Sequence, residues 1–279
     1  MRLGVGERRP GRAAAPPLLR GHSVRSGTLR FPVVPAPGGN AGDGRPVPGA
    51  DQSVSLIAHD LRSPLSVIAG FADLLLEREG EITVEARREA LAAIHRSAGR
   101  MGHLIDNVVE LARIDAGELG LQPAAVDLVR LARDAVAEVV GPTRRGDVVV
   151  SQNGDVPPAW VDAARTWQVV TNLVTNAVSH TQPGQPVLVE VEAVDGEVCL
   201  AVRDHGPGIA AADQDRVFER FARLATPSAG ERRGSGLGLY ICRQLCEDQG
   251  GRIAVSSAPG PGATFIATLP AAVGRSAGG

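Results

Sequence analysis

Four short stretches of this 279-residue sequence hold side chains at spacings that suit chemistry. In the first, Ser55 to Phe71, a helical pattern puts His59 roughly opposite the apolar residues Ile57, Leu61 and Ile68, so the imidazole faces solvent. Asp60 follows directly, where a carboxylate can accept a proton from the imidazole and leave its other nitrogen nucleophilic. Pro64 lacks the amide that would bond the carbonyl of Asp60, so the helix is expected to bend just past the histidine. In the second stretch Asn172 and Asn176 lie four apart on one helical face, with Val169, Val170, Leu173, Ala177 and Val178 covering much of the rest. Paired carboxamides offer neutral oxygens to Mg2+ and N–H donors to phosphates without adding negative charge, although alone they read equally as two solvated amides. In the third, Asp204 ends a strand ahead of Gly206 and Gly208, which permit a tight positive-φ turn; the carboxylate can accept a hydrogen bond from an adenine amino group, or merely start a turn. The fourth places Gly234, Gly236 and Gly238 at the start of a helix, whose free N–H groups and positive end suit phosphate oxygens.

The elements that must position these residues follow from periodicity. Val54, Ile57, Leu61, Ile68, Phe71 and Leu75 fall on a three/four spacing, with Leu65 and Ala72 alongside. After the break at 77–83, Leu91, Ile94, Ala98, Met101, Ile105, Val108 and Ala112 repeat the pattern. Two such seams joined by a short loop predict a helical hairpin, and a hairpin has too little core alone, so a second copy is expected to complete a four-helix bundle. Beyond Gly117–Pro123 the sequence predicts a helix over 126–140, a strand over 147–152, a helix over 162–179 and a strand pair over 187–204 turning on Asp195–Gly196. A helix over 237–248 and a closing antiparallel pair around 258–262 complete a two-layer α+β sandwich.

Composition excludes several mechanisms. All 29 basic residues are arginine, which removes a P-loop lysine, a Schiff-base lysine and the lysine of a protein kinase. A formal net charge of −2 supplies no basic field for nucleic acid. No apolar run has the length of a membrane span, so the chain is expected to be cytoplasmic, with any membrane link made through a separate sensor protein. Cys199, Cys242 and Cys246 read as buried free thiols, since nothing beside Cys242 and Cys246 completes a tetrahedral metal site. His22, His95 and His103 lack an adjacent acid and read as solvated or structural.

The segment 58–65, Ala-His-Asp-Leu-Arg-Ser-Pro-Leu, resembles the H-box of two-component histidine kinases, and the other three stretches resemble that family's N-box, G1 box and G2 box in the same order. The resemblance covers roughly residues 53–270. It implies an ATP-binding sandwich of the gyrase/Hsp90/histidine-kinase type, and transfer of the γ-phosphoryl of ATP to His59 with Asp60 as base. Asn172 and Asn176 would hold Mg2+ with ATP, Asp204, Gly206 and Gly208 the adenine, and Gly234, Gly236 and Gly238 the phosphates. Phe218 and Phe221 resemble the family's F-box and would anchor a lid. Onward transfer to an aspartate of a response regulator is implied, with position 63 assisting dephosphorylation of that regulator. The chain departs from the family with Ser63 for the usual Thr or Asn, Ser179 for Lys, and His180 for an aromatic, so His180 would line the adenine pocket and Arg232 and Arg233 would replace the lysine's charge. The expected domains are a disordered tail over 1–51, the dimerising hairpin over 52–118, the ATP-binding domain over 119–271 and a flexible end over 272–279. A degenerate nucleotide-binding scaffold or regulator phosphatase, and a non-enzymatic helical interaction protein, are the alternative readings.

Overall fold

The computed structural model describes residues 50–77, 82–140, 147–224 and 235–272. The expected disordered tail therefore lies outside the described residues up to position 49, while Ala50 and Asp51 already belong to the first helix. That helix, α1 (Ala50–Glu77), runs on through Pro64. Helix α2 (Val84–Ala116) packs against it. The Thr83 hydroxyl caps α2 by accepting from the Ala86 amide at 3.2 Å, and Gly117 ends it in the left-handed region (φ 68°).

The hairpin differs in detail from the predicted seams. In the first half of α2 the buried positions are Ala90, Ala93 and Ser97, a three/four run of small residues that permits close helix approach, and Glu110 and Leu111 are buried near its end. The expected seam residues Leu91 and Ile105 stay 53% and 49% exposed, and Leu65 and Leu74 of α1 are also exposed. A helix has one face per neighbour, so an apolar stripe wider than one contact is left over.

The remaining elements form the sandwich. A five-stranded sheet has the order β2 (Val148–Asn153), β4 (Val187–Val194), β5 (Glu197–Arg203), β7 (Ala263–Pro270), β6 (Arg252–Ser257). The β2–β4 pair is parallel and the others antiparallel. The parallel pair needs a long crossover, and helix α4 (Ala163–His180) lies within it. Helices α3 (Leu128–Val139), α4 and α5 (Gly238–Asp248) share one core with the sheet, built around Leu128, Leu173, Leu200, Ile241, Leu245 and Phe265. Sequence periodicity missed a second, two-stranded sheet: β1 (Ala124–Val126) pairs antiparallel with β3 (Ala159–Val161). Val126 thus belongs to a strand rather than to the helix predicted there, because Asp127 caps α3 by accepting from the Arg130 amide.

The last turns of α2 are built into this core. Leu111 is buried in it, and Val108, Ile114 and Leu119 pack on its margin.

Candidate active site

His59 projects from α1 with 64% of its side chain exposed, as the helical pattern predicts, and its Nδ1 stands 3.5 Å from Oδ1 of Asp60. Asp60 itself is 11% exposed, and its Oδ2 accepts from the Arg223 guanidinium. Ser63 is exposed one helical turn beyond His59, on the same side of α1. An Nδ1–H directed at the carboxylate leaves Nε2 with its lone pair toward solvent.

The second cluster sits around α4, which starts at an unusually well-bonded cap. Oδ1 of Asp162 accepts from the amides of Ala164 and Arg165, and Oδ2 accepts from the Gln122 amide at 2.8 Å. Burial alone raises the Asp162 carboxyl, but these amide donors outweigh it and hold the group below the ordinary carboxylate value. Val169, Val170, Leu173, Val174 and Ala177 turn into the core, which leaves Asn172 and Asn176 partly buried on another face of α4. The Asn172 Nδ2 is buried and makes no hydrogen bond. A Cβ placed on Gly238 would stand 3.8 Å from that carboxamide, so the start of α5 rests against Asn172. The Ser179 hydroxyl donates to the Asn176 backbone carbonyl at 2.8 Å.

Asp204 is buried at the end of β5, and its Oδ1 accepts from the Gly206 and Ala263 amides at 2.8 and 3.1 Å. Its Oδ2 makes no hydrogen bond among the described residues. A Cβ on Gly206 would lie 2.9 Å from Asp204 Oδ1 and 3.1 Å from the Cβ of His180, so these three positions adjoin. Gly208 has φ 74°, and a Cβ there would strike the Ala258 carbonyl oxygen at 1.9 Å. Gly236 has φ 70° and lies directly on the backbone of Phe221 and Ala222, and the Phe221 amide donates to its carbonyl at 3.0 Å. Gly234, Arg232 and Arg233 lie outside the described residues.

The structure thus brings Asn172, Gly236 and Gly238 together, and separately His180, Asp204 and Gly206. Phe221 and Ala222 touch Gly236, and Arg223 next to them reaches Asp60 beside His59.

Sequence reading missed four supporting residues. Arg223 had a signal, since it follows the paired aromatics Phe218 and Phe221. The Thr181 hydroxyl accepts from the His205 amide, and Ser257 accepts from the Ile209 amide while donating to the Gly262 carbonyl at 2.6 Å. Gly262, where a Cβ would fall 2.1 Å from the Asp204 carbonyl oxygen, presses the β6–β7 turn onto the Asp204 loop. Apart from the Ser257–Gly262 bond across its own turn, these pairings are not local in sequence. The cysteines are buried and free; burial pushes the Cys242 thiol up to about 12 and raises those of Cys199 and Cys246, so none is a nucleophile. No helix among the described residues is long and apolar enough to cross a membrane.

Two family descriptions match this chain: a His Kinase A (phospho-acceptor) domain over residues 51–117, and a histidine kinase-, DNA gyrase B- and HSP90-like ATPase over 161–273. The probable sensor histidine kinase TcrY of Mycobacterium tuberculosis is 40% identical over 215 residues, 75% of this chain and 43% of TcrY. The chain therefore spans less than half the length of that relative. Full-length ShkA, solved in complex with AMPPNP, is 28% identical with a TM-score of 0.54, covering 79% of this chain and 46% of ShkA. The histidine kinase ThkA in complex with the response regulator protein TrrA shares the fold at 22% identity and a TM-score of 0.58, covering 78% of this chain and 60% of ThkA.

Proposed function

Because this chain belongs to the two-component sensor histidine kinases, we propose that it phosphorylates its own His59 from ATP and passes the phosphoryl group to an aspartate of a response regulator. The observation that carries this reading is the physical link between its two clusters: the loop that packs on Gly236 also holds, through Arg223, the carboxylate beside His59.

Nε2 of His59 attacks the γ-phosphorus, an N–P bond forms, and the bond to the β-bridging oxygen breaks to release ADP. Asp60 takes or shares the Nδ1 proton, which keeps Nε2 nucleophilic. Catalysis rests mainly on positioning and charge neutralisation, because a phosphoryl transfer leaves a protein little covalent work. Oδ2 of Asp204 accepts from the adenine amino group, His180 and Gly206 border the base, and Gly236 and Gly238 receive phosphate oxygens at the start of α5, a role that the family resemblance extends to Gly234.

Asn172 and Asn176 are the residues that would hold Mg2+, and the local chemistry fits such an ion only together with a triphosphate. Among the described residues no group of three His, Cys, Asp or Glu side chains gathers to hold a metal, so the two carboxamides would need phosphate oxygens to complete the shell of an ion. Bound there, the ion neutralises charge on the phosphates.

A homodimer through the hairpin accounts for the exposed apolar residues Leu65, Leu74, Leu91 and Ile105. His59 and Ser63 are themselves exposed on α1, where a response regulator would reach them, with Ser63 placed to assist its dephosphorylation. The reaction belongs in the cytoplasm, where ATP is available.

Incubation with γ-labelled ATP tests this reading. The expected label is acid-labile, alkali-stable and absent from His59→Gln, and it chases onto a receiver domain. A nucleotide-binding scaffold is the second reading, favoured by Ser179 where the family carries lysine; it predicts ATP binding with no label on His59.

A further inference from the structure

Three arginines of the sandwich grip carboxylates of the hairpin in the same chain. Arg165, in the first turn of α4, donates to Glu110 of α2 at 2.7 Å, in a pair whose side chains are 16% and 5% exposed. Arg220 donates to Asp115 at 3.1 Å while its guanidinium lies 5.4 Å from the Phe221 ring centroid. Arg223 holds Asp60. From these contacts we infer that each ATP-binding sandwich serves the histidine of its own chain, so that autophosphorylation runs in cis, and that Arg223 is the residue that positions the sandwich at His59. The inference rests on the kinase reading above.

The connection between the two parts carries no slack. Helix α2 ends at Ala116 and β1 begins at Ala124, and the seven residues between them would span about 25 Å at full extension. They are tied down along the way: Leu119 packs on the core and its carbonyl accepts from Arg165, and the Gln122 amide is bound by Asp162. Within the chain, Leu111 is buried in the core and the Glu110–Arg165 pair ties the end of α2 to the start of α4. With both contacts in place, Arg223 stands on Asp60 of the chain's own α1.

Arg223 also explains how docking couples to chemistry. It sits two residues beyond Phe221, whose backbone bears on Gly236 at the start of the glycine segment, so a shift of that segment is transmitted to the carboxylate beside His59. Arg223 meets one oxygen of Asp60 and His59 the other, which leaves Asp60 anchored while its Oδ1 faces the imidazole.

Mixed dimers decide the matter. Wild-type chains co-expressed with a differently tagged His59→Gln/Asn176→Asp double variant are isolated as heterodimers and given γ-labelled ATP. The wild-type chain should label at about half the yield per dimer of the wild-type homodimer, and heterodimers of His59→Gln with Asn176→Asp should stay blank. Label on the Asn176→Asp chain of that second pair, or none on the wild-type chain of the first, would overturn the inference. If the protein is a monomer, a labelling rate independent of protein concentration supports it and a second-order rise overturns it. A readout apart from activity comes from Asp115→Cys/Arg220→Cys, in which the three native thiols are buried. A short bis-maleimide should give an internal cross-link that migrates as a single chain, and a covalent dimer is the opposing result. For Arg223, Arg223→Lys should retain most of the labelling rate, while Arg223→Ala should lower it at least tenfold with ATP affinity changed less than threefold; equal losses in both would remove its positioning role. No label on wild-type homodimers would sink the kinase reading instead, and the cross-link would still report which hairpin the sandwich occupies.

Discussion

Replacing Asp204 by asparagine separates what this residue does for the fold from what it does for a nucleotide. Oδ1 accepts two backbone amides, from Gly206 and Ala263, and Oδ2 accepts none. Asparagine can put its carbonyl oxygen where Oδ1 stands and keep both bonds, now neutral rather than charge-assisted. Charged hydrogen bonds contribute about 1.5–3 kcal/mol each and neutral ones about 1 kcal/mol, so over the two bonds the expected loss of stability is roughly 1–4 kcal/mol. The NH2 group then occupies the place of Oδ2 and confronts the amino group of adenine with a second donor. Losing one charge-assisted bond there weakens ATP by about 1.5–3 kcal/mol, a factor of roughly ten to one hundred and fifty in Kd. Calorimetric titration with a non-hydrolysable ATP analogue, alongside thermal melts, reads both quantities on one sample. The loss should be confined to purines with a 6-amino group, so that the preference for ATP over GTP narrows by the same factor. Unchanged ATP affinity in a folded Asp204→Asn protein would refute the assignment. So would an equal loss for GTP, because the residue would then act only through the shape of its loop.

Other outcomes follow from the same contacts. Asp162→Ala removes a carboxylate that receives three amides and should cost about 1–3 kcal/mol near neutral pH in chemical unfolding. Because the folded carboxyl lies below its ordinary 3.8, the stabilisation is present above that value and fades as pH falls through the lower folded one, so wild type and variant should converge in acid. Arg165→Met strands the buried Glu110 and should lower stability by roughly 3 kcal/mol, with Arg165→Met/Glu110→Leu recovering most of it in thermal melts. Gly208→Ala forces a Cβ against the Ala258 carbonyl at a positive φ and should cost about 1–3 kcal/mol. Gly238→Ala meets only ordinary contacts and should stay within about 0.5 kcal/mol of wild type. Leu91→Arg/Ile105→Arg should shift a dimer to monomer in sedimentation while leaving the melting of the sandwich unchanged, since both side chains are already about half exposed.

Much of the architecture was legible from local pattern. A three/four spacing places the apolar side of α1 and so sends His59 outward, and period-two alternation identifies β4, whereas β5, central in the sheet, is buried without alternation from Val198 to Val202 and reads as a short apolar run. The short strands β1 and β3 escaped because three residues show no period, and their pairing joins 124–126 to 159–161 across the intervening α3 and β2. Periodicity tells which residues of α2 are apolar, but only the packing tells that Ala90, Ala93 and Ser97 are enclosed within the chain while Leu91 and Ile105 stay exposed, where the expected second copy would meet them.

What the chain order alone determined, then, was the inventory: an outward imidazole beside a carboxylate, two carboxamides on a helix face, an aspartate before a glycine turn, and glycines opening α5. Only the tertiary structure decided which of these meet. The Gly262 turn closes on Asp204, Asn172 lies under Gly238, and Arg223 bridges 163 residues of sequence to reach Asp60. Such partners are set by the packing of sheet, helices and hairpin, and charge pairing over that separation leaves no period in the sequence for local reasoning to read.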